Sequence, residues 1–224
     1  MKKILLTITM LLTLALSAQG VAAQVEAPEI ESVDYSEIAG LQSAYSRAYT
    51  VDFMAMMSSP DANLEEMDMA AMMRNISIQG YTFESEDQAK AFLDTTKEEA
   101  EGGLTEAEDL GEVEMKDLEA VDKEGVTMTM VMDLEGESIA MTVHMFVDGN
   151  HLFMVISTDA DLDASNSKAD AVAQYVVDAE VQNEEVTFSE DGTSTGGVFD
   201  RMPEAGHELV ADLTVMDMEL YTGQ

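Results

Sequence analysis

The chain contains no cysteine and no tryptophan, and only 3 of its 224 residues are proline. Without cysteine there can be no disulfide, no thiolate nucleophile and no cysteine-ligated zinc or iron–sulfur centre. Without tryptophan the commonest platform for stacking sugars is missing. Positive charge is also scarce: 10 Lys and Arg stand against 46 Asp and Glu, a net charge of −36. A surface of that sign repels phosphate backbones and anionic lipid, which argues against nucleic acid and peripheral membranes as partners. From Glu26 onward the acids are spread along the chain, as expected of a solvated surface suited to marine or hypersaline surroundings. What is present suffices for a core, since 46% of residues are hydrophobic. That share is too high for a disordered chain.

One long apolar run exists, at the N-terminus. Lys2 and Lys3 precede 13 residues from Ile4 to Leu16, and Val21-Ala22-Ala23 offers small residues where a signal peptidase reads. This predicts a secretory signal peptide over residues 1–23, cut before Gln24. The run is short for a bilayer span, so no membrane insertion is expected after cleavage. No cysteine follows it to carry a lipid. The expected compartment is periplasmic or extracellular. Residues 24–44 form an acidic lead-in carrying Pro28, residues 45–183 an α+β domain, and residues 184–224 a C-terminal extension able to supply further strands of that domain.

Within the domain, Tyr49, Val51, Phe53 and Ala55 alternate with polar or methionine positions and favour a strand, while Leu41, Tyr45 and Ala48 keep a helix open. Ser59-Pro60 predicts a helix start, running to about Arg74, and 75–83 a strand. Ser85 and Gln88 form a capping-box pair ahead of Ala89, Phe92, Leu93, Thr96 and Ala100, which share one helical face. Gly102-Gly103 is expected to end that helix. A second helix is expected with Ser167 as its cap and Asp170 three residues on, burying Val172, Tyr175, Val176 and Ala179. Strands are expected over 112–118, 126–133, 138–147 and 151–157. The stretch 184–188 reads as a further strand and 190–197 as a loop, while the period of 209–221 separates neither strand nor helix.

Two-residue loops at Glu135-Gly136 and Asp148-Gly149 would set the register of this meander. The first pairs Val126 with Met145; the second places His144 opposite Phe153 and His151 opposite Phe146. One face then gathers Val126, Met128, Met130, Met132, Ile139, Met141, Val143, Met145, Leu152, Met154 and Ile156. The opposite face is mixed, with Thr127, Thr129, Thr142, His144, Phe146 and Phe153, and is expected to be only partly covered. The predicted fold class is α+β: an antiparallel β-meander sheet covered on one face by two amphipathic helices.

The order strand, helix, meander, helix is carried by Ile76 to Phe83, Ser85 to Ala100, the segment Val147-Asp148-Gly149-Asn150-His151-Leu152-Phe153 and Lys168 to Ala179. It resembles the PsbP/Mog1-like α/β sandwich group of exported bacterial proteins. The resemblance covers roughly half the mature chain and implies a non-enzymatic accessory or binding module. The long C-terminus and the lack of tryptophan depart from that group.

Candidate sites are cationic ones. Thioethers suit Cu(I), and the 19 methionines cluster at 54–57, 67–69, 128–132 and 216–218. In the meander their period of two places them in the core instead, on the face opposite His144. His144 and His151 share a face on neighbouring strands and lack a third ligand fixed by the sequence. Asp159, Asp161, Asp163, Ser165, Ser167 and Asp170 stand at positions 1, 3, 5, 7, 9 and 12 of an EF-hand-like Ca²⁺ loop. Ala164 replaces the required glycine and Asp170 the longer glutamate. The sequence contains no G-x-S-x-G, H-E-x-x-H or Walker motif. The reading is an exported acidic, non-enzymatic binding or accessory protein of the cell envelope, requiring no cofactor and acting on an envelope protein partner. The alternative is a periplasmic cation-binding protein using the Asp159–Asp170 loop or the methionine clusters.

Overall fold

The structure, a computed structural model, describes residues 34–51, 74–107, 112–134, 137–189 and 193–223. The expected signal peptide, the helix start at Ser59-Pro60 and the clusters Met54–Met57 and Met67–Met73 lie outside the described residues. In chain order the described residues form β1 (Leu41–Thr50), β2 (Asn75–Phe83), α1 (Glu86–Ala107), β3 (Glu112–Asp117), β4 (Gly125–Leu134), β5 (Glu137–Asp148), β6 (His151–Asp159) and α2 (Leu162–Asp178). A small hairpin follows, β7 (Thr187–Phe188) and β8 (Ser194–Thr195), then a 3-10 turn at Gly197–Arg201 and the last strand, β9 (Thr214–Thr222).

Alternating side chains make β4, β5 and β6 strands, and their pairing builds the centre of a seven-stranded sheet of order β3-β4-β5-β6-β2-β1-β9. Every neighbouring pair is antiparallel. The α+β class, with one antiparallel sheet and two helices, is as expected. Val126 pairs with Met145 as the first loop requires. At the second loop the pairing differs: Asp148 pairs with His151, so the loop residues are Gly149-Asn150. Gly149 takes the positive φ of 62° that this tight turn demands of its first residue. His144 therefore faces Val155, not Phe153, and His151 faces Asp148, not Phe146. The slip is two residues, so every side chain keeps its face.

The methionine face is core. Met128, Met130, Met132, Met141, Met145 and Met154 are all buried, packed with Val126, Val143, Leu152 and Ile156 beneath Ala89, Leu93 and Ala100 of α1. The two helices do not share this face, which corrects the expected layering. Ala169, Val172, Ala173 and Val176 of α2 pack on the reverse side, against Phe146, Phe153, Val155, Ile76, Ile78, Tyr45 and Tyr49. The reason is apolar area. The meander alone looks mixed on that side, but β1 and β2 add aromatic and branched residues that must leave water. A helix is needed on each face.

Three further boundaries differ. α1 continues through Gly102 and Gly103 to Ala107, because glycine tolerates a helical backbone at about 1 kcal/mol and need not stop it. α2 starts at Leu162, with Asp161 as its cap and the Asp161 carboxylate accepting from Ala164 N–H at 2.9 Å. Ser167 is thus inside the helix. Leu41 to Ala44, expected in the lead-in, begin β1, and β9 of the C-terminal extension pairs with β1 in the main sheet. The segment between them and the sheet packs closely: a Cβ on Gly80 of β2 would stand 2.9 Å from Val198 Cβ.

Candidate functional site

The chemically richest place is the interface between α2 and the sheet. Thr127 and His144 are cross-strand partners on β4 and β5, and Thr129, Thr142 and Ser157 form the next row. Period-two alternation points all of them at α2. Thr127 Oγ1 lies 3.0 Å from His144 Nδ1, and His144 Nε2 lies 2.8 Å from Asp170 Oδ1 on α2. Burial holds the imidazole pKa below its ordinary value, and the hydrogen bond it donates to Asp170 offsets only part of this. The ring is therefore neutral near pH 7. A carboxylate only accepts, so Nε2 carries the proton and Nδ1 accepts from the Thr127 hydroxyl.

Beside it, Ser165 Oγ sits 2.9 Å from both Thr142 Oγ1 and the Ser157 carbonyl oxygen, and Thr142 donates to Asn166 Oδ1 at 2.8 Å. The hydroxyl–imidazole–carboxylate order is that of an activated nucleophile. The set is almost wholly buried. Thr127 is 3% exposed and His144 2%, and only the Asp170 end reaches solvent. These bonds fasten α2 to the sheet.

The predicted calcium ligands are pulled apart by α2. Asp159 ends β6 and accepts from Ala160 N–H at 2.8 Å, Asp161 caps the helix, Asp163 is exposed in its first turn, Ser165 is buried and Asp170 holds His144. A helix cannot wrap a cation as a twelve-residue loop does. Nor do the histidines meet. His151 pairs with Asp148, four positions along β5 from His144, which is roughly 13 Å at 3.3 Å per residue. His151 Nδ1 instead lies 3.1 Å from Thr82 Oγ1, and burial together with nearby Arg201 keeps its pKa below the ordinary value. Among the described residues no group of three or more His, Asp or Glu is arranged to hold a metal ion.

Two arginines are central to the structure and were not singled out by the sequence. Arg47 of β1 is buried and bonds Asp217 of β9 at 2.7 and 2.8 Å in a bidentate pair. It also donates to the carbonyls of Ser194 (2.6 Å) and Met202 (3.2 Å), with its guanidinium 5.0 Å from the Phe199 ring centre. Tyr49 adds a hydroxyl bond of 2.6 Å to the Pro203 carbonyl. Arg201 donates to the Val176 carbonyl at 2.8 Å, pairs with Asp148 and covers the Phe153 ring. Burial would raise the Asp148 pKa, but hydrogen bonds from Lys123 and Arg201 outweigh it and hold the carboxyl below its ordinary range. The available signal was Arg47 itself, a charge on the same strand face as Tyr45 and Tyr49.

No protein-family model matches this chain, and no curated protein matches it. Among solved structures, the extracellular domain of PknH from Mycobacterium tuberculosis is similar at 13% identity and a TM-score of 0.33. The match covers 44% of this chain and 53% of that one, so the chain spans about half the length of that neighbour. A likeness at this level assigns neither fold nor function.

Proposed function

We propose that this chain is an exported, acidic binding or accessory protein of the cell envelope that performs no catalysis. One observation carries the reading: the hydroxyl–imidazole–carboxylate set is closed off beneath α2, and its hydrogen bonds are spent on joining helix to sheet. Export is supported by the charged, apolar and small-residue zones of residues 1–23; among the described residues no helix is long and apolar enough to cross a membrane. The order of β2, α1, the β3–β6 meander and α2 supports placing the chain with the PsbP/Mog1-like group as part of the same proposal. The calcium form of the cation-binding alternative gains no geometric support from the described residues, because α2 replaces the loop it needs; the methionine clusters at 54–57 and 67–73 lie outside those residues.

The test is hydrolysis of an activated ester by the wild type, Thr127→Val and His144→Gln. We expect no turnover above background and rates within about twofold across the three. Turnover lost in both variants, with their melting curves intact, overturns the non-catalytic reading. Mass spectrometry of the exported protein should find Gln24 at its N-terminus; full-length chain retained in membranes overturns export.

A further inference from the structure

We propose that β9 is a docking strand for an extended cationic segment of a partner protein, which adds one more strand to the sheet. This deepens the binding function proposed above and rests on it.

The sheet has two edges, β3 and β9, and they are built differently. β3 spans 6 residues and exposes Glu112, Glu114, Lys116 and Asp117, with Lys97 reaching Asp117 at 3.6 Å. Short, charged edges resist pairing with another chain. β9 spans 9 residues with no Lys, Arg or Pro. Its Met216 is 46% exposed, and Val215, Met218 and Leu220 are half-buried. Thr214 to Met218 pair without a break to Thr50 through Ser46, continuing to Glu219 opposite Tyr45. The register shift falls beyond that point, and the Tyr35 ring stacks on Tyr221 at 6.3 Å over the far end. Among the described residues no strand lies along the outer side of Thr214–Glu219. The outward N–H and C=O groups of this stretch, which no described strand meets, offer the hydrogen bonds of strand addition.

The stretch is anchored from one face. Asp217, its side chain fully buried, is clamped by Arg47, so an incoming strand meets a backbone that is already ordered and costs little to organise. Side chains then set the partner's character. Thr214, Met216 and Met218 share one face; Val215, Asp217 and Glu219 share the other. Apolar residues of the incoming strand would lie beside Met216 and Met218, and cationic ones beside exposed Glu219. The net charge of −36 draws a basic segment and repels a second copy of this chain.

The probe is a fluorescein-labelled ten-residue peptide of alternating Lys and Val, titrated against the full exported chain by fluorescence polarisation. Controls are the Glu–Val counterpart and a Lys–Val peptide N-methylated at alternate backbone amides. We expect binding of the Lys–Val peptide alone, weakened at least about tenfold by N-methylation and by Met216→Lys. Amide exchange at Thr214–Glu219 should slow when the peptide is added. Equal binding of the N-methylated peptide would show plain charge attraction and overturn the proposal, as would no binding at all. Protection appearing elsewhere, with β9 unchanged, overturns this docking edge while leaving a binding protein. Protection of β9 that rises with protein concentration in the absence of peptide assigns the edge to a second copy instead. Catalytic turnover in the ester assay would sink the wider reading independently.

Discussion

Ser194 Oγ is buried without a hydrogen-bond partner, an unusual condition among the described residues. Its burial costs desolvation with no return, so Ser194→Ala should leave stability unchanged or raise it by about 1 kcal/mol in urea denaturation. Arg47 is the opposite case. Arg47→Ala would strand the buried Asp217 carboxylate and remove a donor from the carbonyls of Ser194, Phe199, Met202 and Pro203, at an expected cost of about 3–5 kcal/mol in the same assay. His144 gives stability a pH dependence. Its folded pKa lies below the ordinary 6.5 because of burial. The unfolded chain therefore binds the proton first, and the stabilisation is complete above that value and falls as the pH drops through it. His144→Gln should flatten the loss of stability between about pH 7 and 5, read as the urea midpoint against pH. The residue types were plain in the sequence, and so was the shared face of Thr127 and His144. That Asp170 would meet them was not, because a contact from α2 to β5 depends on where the helix begins.

At the scale of elements, the strands were legible because period two is a local property. β2, β4, β5 and β6 fall within a residue or two of their expected limits. The start of α1 behind Ser85 and the end of α2 were legible too, whereas the end of α1 and the start of α2 were not, since those two depend on competing local signals. Asp161 outcompeted Ser167 as cap, as it stands two residues after the end of β6 and its carboxylate reaches Ala164 N–H. Gly102 lies inside α1 with open space around the position of a Cβ. Gly102→Ala should therefore stabilise the protein by about 0.5–1 kcal/mol, measured as a shift in the urea midpoint. The hairpin register was misjudged by one loop choice: glycine can serve either position of a two-residue turn, and the sequence offers both Asp148-Gly149 and Gly149-Asn150.

For the whole molecule, the net charge of −36 dominates. Self-repulsion opposes folding until salt shortens its reach, from roughly 10 Å at 0.1 M to 3 Å at 1 M. Melting temperature should rise steadily between low and molar NaCl, by roughly 2–4 °C for each kcal/mol of repulsion relieved; a flat profile would remove the saline reading. Composition and periodicity by themselves determined the acidic surface, the antiparallel meander and the burial of its methionines, because each follows from charge counts or from neighbours two positions apart. The tertiary structure alone decided that the helices lie on opposite faces, that Arg47 seals β9 to β1, and that β3 and β9 are the edge strands of the sheet among the described residues. Those outcomes depend on which distant segments become neighbours, and no local pattern encodes that.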